Sequence, residues 1–285
     1  MLVPVITWYI IFQYIPIYGV TLAFRQFRIL DGMFGSPWVG WDNFERLFNS
    51  PSFIPVFRNT IIISLYGLFF GFPAPIALAI LINELRLKTF KRVTQTISYL
   101  PHFISWVVLA GIFFTLLSPS RGPINGLLIQ LGRPPIHFLG SPDWFRGILV
   151  STGIWRGVGW GSIIYLAALA GVNEELYEAA RIDGAGRWRR IWHITLPGIR
   201  PTIVIMFILA TGGIVDGNFD QVFNLMNPAV MSVGDILDTY IFRTGITQLN
   251  HGYATAVSLF RNSISLVLVL TANYVSRRAG EYGLW

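Results

Sequence analysis

Six runs of apolar residues, each near the length a helix needs to cross a bilayer, leave this chain very few possible folds. They lie at about 2–24, 57–81, 102–117, 147–171, 202–216 and 253–275. A hydrocarbon core about 30 Å thick takes about 20 helical residues. Inside lipid no water can pair with free backbone groups, so only helices and closed barrels can span it. The strict alternation of barrel strands is absent, and an all-α membrane protein with six transmembrane helices is expected, as one domain over 1–285. Only 12% of the residues are charged and 53% are hydrophobic, whereas a soluble domain is about a quarter charged. The first run is too long for a signal peptide and has no small-residue cleavage site. The second contains Gly67, Gly71, Pro73 and Pro75, which predicts a kink. The fifth loses its apolar character near Asp216.

In such a chain the formal charge of +7 reports topology rather than a nucleic-acid partner. With the N-terminus inside, the inner loops at about 84–101, 172–200 and 277–285 carry Arg86, Lys88, Lys91, Arg92, Arg181, Arg187, Arg189, Arg190, Arg200, Arg277 and Arg278. The longer outer loops at 25–56, 118–146 and 217–252 hold Arg25, Arg28, Arg46, Arg121, Arg133, Arg146 and Arg243. Basic residues are denser inside, as the positive-inside rule expects. Cysteine is absent, which excludes disulfides and thiolate metal sites. His102, His137, His193 and His251 form no H-E-x-x-H pair, and no G-x-x-x-x-G-K-[ST] phosphate loop occurs. Neither a metal site nor a catalytic residue is expected, and the chain is not itself a nucleotide engine.

Residues 172–200 form the longest charged island. Asn173 is a good N-cap, and Glu174 and Glu175 suit the positive end of a helix dipole. Gly184 can take the left-handed conformation that ends such a helix. Trp188, Ile191 and Trp192 then fall on one face of a second helix, and Pro197 and Pro201 mark a turn into the fifth run. A helix–turn–helix docking surface is expected. Glu178-Ala179-Ala180, Gly184, Ile194, Leu196 and Pro197 follow the pattern EAA-x3-G-x9-I-x-L-P. That pattern resembles the coupling loop of permease subunits in binding-protein-dependent ABC importers. An ordinary amphipathic surface helix would explain Gly184 but not the spaced Ile-x-Leu-Pro.

The resemblance implies a type I importer permease in the bacterial cell membrane. It would pair with a second homologous permease and two copies of a cytoplasmic ATPase, which binds the ATP and Mg. An extracytoplasmic solute-binding protein would deliver the cargo. The family carries a basic tail before its first span, whereas this chain begins at the span, so orientation rests on the later loops. Residues 38–47, with Trp38, Gly40, Trp41, Asn43 and Phe44, suit an amphipathic interfacial helix. They are also similar to a segment that follows the first span of sugar-importer permeases.

Gly153, Gly157 and Gly161 are spaced for close helix packing. Arg156, flanked by Trp155, lies well inside the fourth run, where a guanidinium needs a cavity or an acid such as Asp216. Asn218, Asp220 and Gln221 interleave with Phe219 and Phe223, the mixture of amides, carboxylates and rings that a sugar site requires. Trp155, Arg156, Asn218, Asp220 and Gln221 are therefore the expected substrate path, with a capped helix end as the competing role for Asp216 and Asn224. Asn218-Phe219-Asp220-Gln221, Asn224-Leu225-Met226-Asn227-Pro228, Asp238-Thr239-Tyr240 and the closing Arg277-Arg278 with Tyr282-Gly283-Leu284-Trp285 look like the oligosaccharide branch of these permeases. That branch implies an oligosaccharide cargo, with acidic aldouronate- or alginate-like sugars among the candidates. Peptide or ion cargo is the alternative within the class, and a membrane-embedded enzyme using Asp216 and Asp220 is the alternative outside it.

Overall fold

The computed structural model describes residues 2–278 together with Gly280 and Gly283. Most of the closing motif (Tyr282, Leu284 and Trp285) lies outside the described residues. Among these the regular structure is helical, apart from one isolated bridge between Arg25 and Trp38. The principal helices are α1 Val3–Phe24, α2 Asp42–Phe48, α3 Phe53–Asn83, α4 Lys88–Phe103, α5 Trp106–Leu116 and α6 Pro123–Gln130. They continue with α7 Pro142–Ala170, α8 Glu174–Ile182, α9 Arg187–Val215, α10 Phe219–Leu225, α11 Leu237–Phe242 and α12 His251–Arg278.

By length and composition α1, α3, α9 and α12 can each cross a membrane, and α4 with α5 makes a fifth crossing if that bent pair is one span. Helix α7 has 29 residues, about 43 Å at 1.5 Å per residue, but Asp143, Arg146 and Arg156 make it less apolar. Six crossings are compatible with the fold when α7 and the bent pair are both counted.

The third apolar run, expected at 102–117, forms only α5, while the stretch before it, expected as an inner loop at 84–101, is mostly helical as α4. Helices α4 and α5 meet at 101°. The chain passes through a tight turn at Leu100–Phe103, and Ser105 restarts the helix by accepting a hydrogen bond from the Val108 N–H at 3.4 Å. A bend of this kind frees carbonyls inside the apolar layer. Arg156 of α7 meets them: its Nη2 donates to the His102 carbonyl at 3.0 Å and its Nε to the Ile104 carbonyl at 3.1 Å. Its guanidinium carbon lies 5.1 Å from the centre of the Trp106 ring. The half-buried arginine is thus a bracket across a broken helix, and Asp216 pairs elsewhere.

Three helices absorb proline in the same way. The π turns Ile10–Tyr14, Gly67–Gly71 and Ile191–Thr195 are followed, two residues past their ends, by Pro16, Pro73 and Pro197. Proline has no N–H and crowds the carbonyl four residues earlier. Widening the helix by one residue relieves that crowding, with Ile15 N–H bonded to Ile10 and Leu196 N–H to Ile191. The expected kink in the second run is such a π turn inside a continuous α3. The expected turn at Pro197 and Pro201 does not occur, because α9 runs unbroken through both.

Helix α7 organises the core. Its outer half buries Phe145, Ile148 and Leu149 against Ile63 of α3, Trp106 and Leu109 of α5, and Val222 and Leu225 of α10. Its inner half buries Tyr165 and Leu169 against Ala79 of α3 and Ile199 of α9. A second cluster joins Phe53 and Val56 of α3 to Leu237, Tyr240, Tyr253 and Val257. Helix α1 stands outside these clusters, exposed from Val3 to Tyr18 and partly covered only near its end at Ala23. Of the three spaced glycines, Gly161 abuts Pro75, whose Cγ would lie 3.0 Å from an added Cβ. Gly153 lies beneath Gln221, and Gly157 faces open space within this chain. The tightest approach on α7 is at Gly159, where a Cβ would overlap the Ser98 carbonyl of α4. Gly159→Ala is therefore expected to destabilise the fold by about 1–3 kcal/mol, as overpacking against backbone does. Gly157→Ala should be near neutral. Thermal midpoints of the purified variants check the contrast, and equal midpoints would contradict it.

Candidate functional site

The fifth span ends where its sequence turns to glycine and polar residues. A tight turn over Gly213–Val215 leads to an extended Asp216, and Asn218 takes a left-handed conformation with φ 56° before α10 begins. Asparagine tolerates that region better than most residues. Asp216 and Asp220 therefore do not share a helix face, since one ends α9 and the other opens α10. Gln221 is buried and fully engaged. Its amide nitrogen donates to the Leu149 carbonyl at 2.6 Å and to Thr152 Oγ1 at 2.9 Å, and its oxygen accepts from Asn218 Nδ2 at 2.9 Å. On the other side Arg261 of α12 reaches Asp216 at 3.6 Å and also bonds Asp238. Asp238 in turn accepts from the Gly217 N–H at 3.2 Å.

These contacts hold open a cavity of about 400 Å3 between α3, α7 and the end of α9. Asp216, Asn218, Gln221 and Ser64 give it a polar side, and Gly67, Gly71, Gly153 and Gly157 give it room. The Ser64 hydroxyl is buried with no hydrogen-bond partner among the described residues. Among the described residues no cation lines the space. Such a surface suits a neutral hydroxyl-bearing face, which amides and a carboxylate can bond from two sides. Of the expected path residues, Asn218 and Gln221 meet here. Trp155 is half-exposed against Phe113, with ring centres 5.8 Å apart, and Arg156 is bound to backbone. Asp220 is exposed and outside the lining. Sequence reasoning missed Ser64, which carries no signal in a serine-containing apolar run. It also missed Arg261, although a charge inside the sixth run was the same signal that marked Arg156.

The charged loop forms as expected at its start. Asn173 Oδ1 caps α8 by accepting from the Glu175 N–H at 2.9 Å. Gly184 has φ +76°, and the Ala185 N–H closes the helix end on the Ala180 carbonyl at 2.8 Å. Glu178 and Ala179 are exposed and Ala180 is half-buried. Trp188 and Trp192 are 74% and 65% exposed, whereas Ile191 is buried, so the three do not present one face. Ile194 and Leu196 are half-buried and Pro197 is exposed, all three within α9. The second helix of the expected pair is thus the start of the fifth span itself. Arg187 Nε lies 2.9 Å from Glu84 at the end of α3, and Tyr177 donates to Thr195 at 3.0 Å, which ties α8 to α9. One continuous helix joins the exposed loop to the cavity. Among the described residues no three His, Asp or Glu side chains cluster as metal ligands.

Protein LplB of Bacillus subtilis (strain 168) is 44% identical over 285 residues, covering 100% of this chain and 90% of that protein. The polygalacturonan/rhamnogalacturonan transport system permease protein YteP of the same strain is 41% identical, covering 100% of this chain and 89% of that protein. A crystallised bacterial ABC transporter involved in the import of the acidic polysaccharide alginate contains a chain 44% identical with a TM-score of 0.91, covering 98% of this chain and 94% of that one. The second relative and the alginate transporter are transport proteins by name, which removes the membrane-embedded enzyme as a reading. The sequence profile of the binding-protein-dependent transport system inner membrane component family matches residues 71–280, and the chain belongs to that family.

Proposed function

We propose that this chain is the permease subunit of an ATP-driven importer that brings an acidic oligosaccharide across the bacterial cell membrane. The observation that carries the cargo is the pair of relatives above 40% identity whose own names specify acidic polysaccharides. Residues 1–285 act as one transmembrane domain with its coupling loop at 172–200. The partners are a second homologous permease, two ATPase copies that bind ATP and Mg, and an extracytoplasmic solute-binding protein. Glu178, Ala179 and Ala180 seat in the ATPase. Gly184 makes the corner, and Ile194, Leu196 and Pro197 carry the displacement into α9. ATPase closure then rocks the bundle between inward- and outward-facing arrangements. Asn218, with Asp216 and Ser64, reads sugar hydroxyls at the far end of the same helix, and Gln221 holds Asn218 in place for them. Trp155 and Asp220 flank the path, and Arg156 supports it by holding α4 to α5. Since no cation lines the cavity, the charge of the cargo is read elsewhere, by the binding protein or the second permease.

Reconstituted with its partners, the importer is expected to take up oligogalacturonate or alginate oligosaccharide and to leave maltotriose and dipeptides outside. Uptake of dipeptide at an equal rate, or of neutral sugar alone, would overturn the cargo. Gly184→Val forces a branched side chain into a left-handed backbone, a strain of about 1–2 kcal/mol. It is expected to leave membrane insertion intact and to abolish ATP-coupled uptake. Full uptake with normal ATPase co-purification would contradict the role of the loop.

A further inference from the structure

Arg86, Arg181, Arg187 and Arg190 converge on a polar cleft of about 610 Å3 where α3 and α7 end beside the charged loop. Among the described residues its acidic lining is Glu84 and Glu174, which leaves the cleft a formal excess of positive charge. Glu84 is paired with Arg187 at 2.9 Å. Among the described residues no carboxylate lies within ion-pair distance of Arg86, Arg181 or Arg190. Uncompensated guanidiniums grouped in a concave space are built for a phosphate, which their planar forks can bond in pairs.

The rim distinguishes a lipid phosphate from a soluble one. Leu81 and Leu87, on either side of the Asn83–Arg86 corner, are 65% and 72% exposed. Helix α4 continues the strip with exposed Phe90, Val93 and Ile97 among Lys88, Lys91 and Arg92. A free anion would use the hole and ignore the strip, whereas an amphiphile uses both. The arginine-rich loops place the cleft on the cytoplasmic side, where anionic lipids attract basic segments.

We propose that this cleft binds the headgroup phosphate of an anionic phospholipid. The seated headgroup bridges Arg86, beyond the end of α3, to Arg181 and Arg190 of the charged loop. It reinforces the Glu84–Arg187 pair and fixes how firmly loop motion is passed to the spans. The site is independent of the cargo's identity.

The test uses the assembled importer in nanodiscs of phosphatidylcholine, with or without phosphatidylglycerol, and counts retained lipid by native mass spectrometry. Wild type should retain phosphatidylglycerol about twenty-five-fold better than the double variant Arg86→Gln with Arg190→Gln, at about fivefold per arginine. Lysine at both positions should restore most of the difference. Phosphatidylglycerol should also accelerate uptake by wild type and not by the double variant. If the double variant fails to assemble, Arg86→Gln alone, outside residues 172–200, should show about a fivefold loss. Equal retention by variant and wild type overturns the proposal. So does erasure of the difference by inorganic phosphate, which would make the ligand a soluble anion. Loss of the ATPase with lipid retention unchanged would make the cleft a protein-docking surface and overturn it too.

Discussion

A backbone carbonyl or N–H released inside the apolar layer must find a protein partner, because lipid offers none. Several long polar side chains of this structure meet that demand, or its counterpart at breaks in the outer loops. Arg156 takes the two carbonyls freed where α4 bends into α5. Asn59 of α3 donates to the carbonyls of Ser232 and Asp235 at 3.0 and 3.2 Å, and Arg146 locks it in place through its amide oxygen at 2.7 Å. Asn43 of α2 serves the carbonyls of Ala23 and Arg25, just where α1 gives way to extended chain. Gln221 joins the start of α10 to α7. In each case an amide or guanidinium ends a broken segment that no regular helix could close.

That demand explains why the break after α9 can exist at membrane depth. The end of the helix is held from one side by Gln221 and Asn218, and from the other by Arg261 and Asp238. The groups left over, Asp216, Asn218 and Ser64, turn towards the cavity. At the opposite end, α9 begins in the exposed charged loop. No separate element is needed to connect the charged loop to the cavity in this chain. A single helix of 29 residues, widened by a π turn rather than broken at Pro197, connects them.

The apolar runs were legible because hydrophobic length is a direct consequence of bilayer thickness. They placed α1, α3, α9 and α12, and the spacing Glu178 to Pro197 located the charged loop. The bend between α4 and α5 was not legible, since residues 84–101 are charged and end in Pro101, a composition that reads as a loop rather than as a second helix. Continuity through Pro197 was hidden because π turns have no composition of their own. Arg156 was recognised as costly in lipid, but sequence could not say whether sugar, acid or backbone would meet it. The small residues were hardest: the regular spacing drew attention to Gly153, Gly157 and Gly161, while the closest approach fell on Gly159. What a glycine faces depends on which helix crosses above it, and no local pattern encodes that.

The most direct test of this account is a density map of the assembled importer caught with an acidic oligosaccharide in its membrane path. Sugar density should lie in the glycine-lined cavity, within hydrogen-bond distance of Asn218 or Asp216. Arg156 should remain on the carbonyls of His102 and Ile104. Density seated instead on an Arg156 swung away from those carbonyls, or a path that leaves the cavity empty, would contradict it.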